Sequence, residues 1–226
     1  MLILTPSKGP EDWRDLLPDR DKQWKDGRSA KLMAETWESS HPTLPAEISA
    51  TLSGTPLSSF EAILAIPEYQ VPLPGGNRPS QNDLFLLGQV DDDLAVIMVE
   101  GKVDEPFGPT VAEWSEDTSE GKQRRLEYLT GLLHLHGDVP GELRYQLLHR
   151  TASAIIEARR FHAKYAVMLV HSFSNEHAWF DDFATFVKLL GGVPENGGSG
   201  KVPGHTDPEL WVGWAHGKAD YATAAS

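Results

Sequence analysis

Two nearly unbroken apolar runs, Asp83-Leu84-Phe85-Leu86-Leu87-Gly88 and Leu94-Ala95-Val96-Ile97-Met98-Val99, flank the triplet Asp91-Asp92-Asp93. A strand with one wet face alternates polar and apolar residues, and these runs do not. The hairpin they form must therefore belong to a sheet covered on both faces, with the aspartates as its turn. The remainder of the chain has to supply the covering layers. At roughly 150 residues per domain, its 226 residues suggest one large domain with appendages.

Helices are expected over 29–39 (Ser29 as N-cap, with Ala30, Met33, Ala34 and Trp37 on one face), 45–52, 120–135, 141–163 and 178–190. Tyr165 to Val170 reads as a further buried strand and 210–214 as a last one. Residues 60–73 read as a strand or edge strand broken by Pro67 and Pro72. The segment 106–118 reads as irregular, and 196–204 as a Gly-rich loop. The expected architecture is α/β: one mixed central sheet flanked by helices, within a single domain. That domain divides into an N-terminal helical extension (1–55), a core (56–175) and a C-terminal helix and strand (176–226).

The chain has no cysteine, which excludes disulfides, Cys-ligated zinc, iron–sulfur clusters and thiol nucleophiles. No apolar run approaches the ~20 residues of a membrane span, and Met1 to Leu4 is too short for a signal-peptide core. The expectation is a soluble cytoplasmic protein with no membrane partner. Lys and Arg number 20 against 33 Asp and Glu, a net charge of −13. That balance disfavours indiscriminate adhesion to nucleic acid, but a local basic face is compatible with it. Between Arg144 and Lys164 five basic residues face a single acid, Glu157.

The tripeptide Glu100-Gly101-Lys102 closes the second apolar run. The same three residues recur at Glu120-Gly121-Lys122 in a polar stretch, so the letters alone carry nothing. On a strand, however, Glu100 and Lys102 project from one face, where burial is costly without a partner or a metal. If Gln89 pairs with Leu94 across a four-residue loop, 90–93, Asp83 falls opposite Glu100 with Cβ atoms about 5 Å apart. Two opposed carboxylates repel unless a cation joins them or one is protonated. Mg²⁺, which takes oxygen ligands and tolerates one or two carboxylates plus waters, suits such a pair. Lys102 would then stand ready to orient or deprotonate a water and offset phosphate charge.

Asp83, a hairpin, Glu100-x-Lys102, a helix and a strand together resemble the PD-(D/E)XK nuclease superfamily, which has the restriction-endonuclease-like fold. The likeness spans roughly residues 29–173 and departs from the pattern at Asn82, which stands where a proline is usual. It implies Mg²⁺ (or Mn²⁺) held by Asp83, Glu100 and the Gly101 carbonyl, with Lys102 assisting water attack on nucleic acid. It further implies an acidic residue from the preceding helix, Glu35 or Glu38, with Glu38 nearer the apolar face. A polar residue of the following helix, Gln146 or Arg150, would join them. The alternative is a catalytically inactive domain of the same fold. It would use its acidic surface and the polar segment bearing Trp13, Trp24 and Trp37 to contact a protein partner or a second copy.

Three other signals fail on inspection. Residues 195–202 lack the first glycine and the final Ser or Thr of a phosphate loop, because Glu195 and Val202 stand there. His134-Leu135-His136-Gly137-Asp138 has no second ligand group in sequence and reads as a helix C-terminus. His171 and Ser172 are adjacent on a strand and so point to opposite faces.

Overall fold

The computed structural model describes residues 1–3, 7–117 and 119–218. Its strands are β1 (Leu2–Ile3), β2 (Glu61–Val71), β3 (Ser80–Val90), β4 (Asp93–Lys102), β5 (Tyr165–Ser172), β6 (Ser199–Lys201) and β7 (Glu209–His216). Among the described residues they make one seven-stranded sheet in the order β1-β2-β3-β4-β5-β7-β6. The strands β2, β3 and β4 form an antiparallel meander. Next, β5 lies parallel to β4 and β7 parallel to β5, while β6 is antiparallel to β7. A parallel neighbour requires a long crossover. Between β4 and β5 that crossover carries α5 (Val111–Ser115), α6 (Glu120–Leu132) and α7 (Tyr145–Arg160).

Both faces of the hairpin are buried, as its composition requires. Phe85, Leu87, Val96 and Met98 pack against α6, α7 and α8 (Phe180–Leu189). Leu84, Leu86, Ala95, Ile97 and Val99 pack beneath α3 (Ser29–Ser40) and α4 (Ala46–Leu52). Before α3 lie two short helices, α1 (Glu11–Arg14) and α2 (Arg20–Gln23). No helix among the described residues is long and apolar enough to cross a membrane.

The expected register holds: Gln89 pairs with Leu94 and Leu84 with Val99. Pairing runs one step further, to Val90 with Asp93, so the turn is Asp91-Asp92 and not a four-residue loop. Asp91 takes φ +51°, a left-handed conformation that Asp tolerates better than most residues.

Other expectations need correction. Ser29 is the first helical residue and not the cap: extended Arg28 precedes it, and the Ser29 N–H donates to Glu105 Oε1 at 3.2 Å. The segment 106–118, expected to be irregular, contains α5, started by a capping box between Thr110 and Glu113. That Thr-x-x-Glu signature was readable in the sequence; Thr118 lies outside the described residues. The Gly-rich loop hides β6, and β2 lies between β1 and β3. Trp13 and Trp37 are buried in the core beneath the sheet, because α1 and α3 fold their apolar faces onto it. The polar tryptophan-bearing segment is therefore no free arm.

Candidate functional site

The strands that bear the sequence motif end together. Glu100 and Lys102 lie at the carboxyl end of β4, where open α/β sheets present ligand sites. Asp83 lies on β3 just beyond the Leu84–Val99 pair, and its Oδ2 accepts the Gly101 N–H at 2.7 Å. Asp83, Glu100, Lys102, Gln146 and Arg150 all line one cleft of about 460 Å³. Leu17, Lys22 and Gln23 of the N-terminal segment, with Arg28 and Ser29 at the start of α3, also line it.

Glu100 is only 3% exposed, Lys102 4% and Arg150 8%. Charges buried this deeply persist only when paired, and here each has an ionic partner. Glu100 Oε1 accepts from Lys102 Nζ at 2.5 Å and from Gln146 Nε2 at 2.7 Å. Its Oε2 accepts from Arg150 Nε at 2.5 Å. Arg150 Nη1 also donates to Ser80 Oγ at 3.2 Å, and Ser80 Oγ lies 2.8 Å from His149 Nδ1. Burial, followed by the Arg150 charge, lowers the His149 pKa well below its ordinary value, so the imidazole adds no competing charge. Burial pushes the Glu100 carboxyl up, but Arg150 and Lys102 outweigh it and hold the group below the ordinary value.

A third carboxylate joins this pair, one the sequence reading did not single out. Pro67 of β2 pairs with Leu84 and Tyr69 with Asn82, so Glu68 stands beside Asp83 in register. Glu68 takes φ +52° inside a strand. The alternation of side chains slips there: Leu64 and Ile66, then Tyr69 and Val71, all pack on the α7 side. Glu68 lines the cleft and accepts from Gln81 Nε2 at 2.7 Å. Burial and the charge of Asp83 raise Glu68 to about 8. Burial and the charge of Glu100 raise Asp83 to about 7. Among the described residues no hydrogen bond reaches Asp83 Oδ1 or Glu68 Oε1. One signal was present in the sequence, since Glu68 is the sole charge between Ala62 and Val71. Two prolines in the segment hid its register.

Glu38, expected to contribute from the first helix, is not brought to the cleft. It accepts from Trp13 Nε1 at 2.7 Å and from Ser7 Oγ, tying α1 to α3. It lies eight residues beyond Ala30, the nearest cleft residue on α3, or about 12 Å along a helix. Glu35 pairs with Lys31 instead. Gly101 contributes its N–H to Asp83 and does not itself line the cleft. Among the described residues, no three His, Asp or Glu side chains are grouped so as to hold a metal ion as they stand. His134 does meet a distant histidine, stacking on His205 with ring centroids 4.2 Å apart.

Fold and cleft together define an α/β protein with a mixed sheet between helical layers and a charged site at its strand ends. The chain belongs to a family described as a domain of unknown function (DUF6946), whose model matches residues 6–219. No curated protein and no solved structure matches it.

Proposed function

We propose that the cleft hydrolyses phosphodiester bonds of nucleic acid with the aid of Mg²⁺ or Mn²⁺, on a restriction-endonuclease-like sheet. The observation that carries this reading is the meeting of Asp83, Glu100 and Lys102 in one cleft with Glu68 beside them. The donor set is all oxygen, and Mg²⁺ needs only one or two protein carboxylates besides waters and phosphate. Asp83 and Glu68, each with an oxygen left over, fit that requirement and would hold the ion. When bound, the ion would supply Lewis-acid charge at the phosphate and acidify a water.

The chain's own groups would do the rest. Lys102, held beside Glu100, keeps an ammonium where negative charge develops on the phosphate. Gln146 fixes the Glu100 carboxylate from α7. Lys22, Arg28, Lys102 and Arg150 match the four acids of the lining, Glu68, Asp83, Glu100 and Glu105. The formal charges of the lining balance. With Glu68 raised to about 8 and Asp83 to about 7, the cleft is net positive near neutral pH in a chain of formal charge −13, which favours an approaching polyanion.

Single- and double-stranded DNA and RNA incubated with Mg²⁺ or Mn²⁺ test the reading. Cleavage should require the ion and fall at least ~100-fold in Asp83→Ala and in Lys102→Ala, the scale of lost electrostatic catalysis. Cleavage surviving both substitutions together would put the reaction elsewhere. A second reading, a non-catalytic interaction module, draws support from the pairing of Glu100 with two cations, Arg150 and Lys102, with Gln146 donating a further hydrogen bond. Calorimetry that finds no Mn²⁺ binding at millimolar concentration favours the module.

A further inference from the structure

We propose that Arg150 is an internal cation occupying Glu100 in place of a metal ion. A divalent ion seated on Asp83 and Glu68 would take Glu100 Oε2 as a further ligand, displace the guanidinium from it and release Arg150 to a substrate phosphate. This inference rests on the metal-dependent reading of the same cleft.

Glu100 carries three donors, and they are unevenly shared. Lys102 and Gln146 both donate to Oε1, whereas Arg150 donates to Oε2. A divalent ion binds a carboxylate oxygen at about 2.0–2.1 Å, closer than any of these donors, so Oε2 is free for an ion only if Arg150 leaves. The guanidinium is also the shared counter-charge of the whole acidic group, since Glu100, Asp83 and Glu68 all act on it. It therefore stands where the charge of an ion is wanted.

Arg150 also has somewhere to go. It lines the open cleft, and it grips Glu100 through Nε alone with Nη1 on Ser80. The paired donors with which arginine binds a phosphate are thus not committed to one carboxylate as a fork. Ion and phosphate would then bind cooperatively, each removing what opposes the other, and such coupling is reciprocal.

The test is calorimetric titration of Mn²⁺ into the full chain, into Arg150→Met and into Arg28→Met. The last removes an equal charge from the same cleft without touching Glu100, because Arg28 pairs with Asp104. Arg150→Met should bind Mn²⁺ at least ~10-fold more tightly than the unaltered chain, within the 5–150-fold usual for coupled sites. Arg28→Met should change affinity less than about threefold. Equal or weaker binding by Arg150→Met, with the unaltered chain binding, overturns this inference and leaves the metal reading standing. Absence of binding by both overturns the two together. A second measurement avoids the substitution: the Nε–H resonance of Arg150 in ¹⁵N-labelled protein should move and lose protection from exchange as Mg²⁺ is added. A resonance unmoved at saturating Mg²⁺ also overturns the proposal.

Discussion

A Cβ built on Gly101 would stand 2.5 Å from Met33 Cγ. Helix α3 therefore rests directly on the backbone of β4, between the two charged residues of the cleft. No other residue type leaves that space.

Gly101→Ala should destabilise the fold by about 1–3 kcal/mol, the usual cost of overpacking. Denaturant unfolding in a Met33→Ala background should recover much of that loss, because the colliding side chain is gone. An equal penalty in both backgrounds would show that some other contact excludes the methyl group.

Stability without metal should depend on pH in a specific sense. Glu68 and Asp83 titrate higher when folded, at about 8 and about 7, than their ordinary 4.5 and 3.8. The folded state therefore holds protons that the unfolded chain has released. The associated stability is complete below the ordinary carboxylate values and is lost as pH rises through the folded ones. Glu100, lowered in the fold, acts oppositely: its contribution is present above 4.5 and fades as pH falls through its folded value. Thermal unfolding should accordingly show a Tm that declines from about pH 5 to about pH 8, and Glu68→Gln should flatten the decline. Parallel curves for the two proteins would refute the assignment.

Arg125 reaches from α6 to three backbone carbonyls, Pro74 at 2.8 Å, Gly76 at 3.2 Å and Leu73 at 3.4 Å. Arg125→Met should cost about 3 kcal/mol by leaving these acceptors without their charged donor. Arg125→Lys should rescue little, because a point charge cannot span the three. Hydrogen exchange should quicken first in the segment 73–78; if exchange quickens uniformly, the contact is not local.

Glu38 and Glu68 should separate cleanly. Glu38→Ala removes the acceptor of Trp13 Nε1 and should cost about 1 kcal/mol of stability with Mn²⁺ affinity unchanged. Glu68→Ala should weaken Mn²⁺ binding at least ~10-fold, as loss of an oxygen ligand predicts. Reversed outcomes would restore Glu38 to the site.

The hairpin was legible because its information is local. Side chains alternate with period two, aspartates make the turn, and an apolar strand states that both its faces are buried. Those rules permit the pairing of Gln89 with Leu94, and once that register is supposed Asp83, Glu100 and Lys102 fall on a common side. Gln146 and Arg150, one helical turn apart, came from the family resemblance, as alternatives. The helices α3 and α7 also announced themselves by periodicity, and α4 by the proline at its start, with ends displaced by a few residues at most.

Contacts between distant segments set the remainder. Glu68 joins the carboxylates only because β2 kinks at a left-handed residue, and an apolar run with two prolines fixes no register. Glu105 caps α3 from 76 residues away, so no window of sequence around Ser29 contains the cap. Trp13 and Trp37 look too polar in their surroundings for a core, yet they fill the layer beneath the sheet together with Leu32, Met33, Ile48 and Leu52. Above all, the choice of Arg150 for Glu100 balances desolvation against pairing within one crowded cleft. Such a balance depends on distances in three dimensions, which spacing along the chain does not carry.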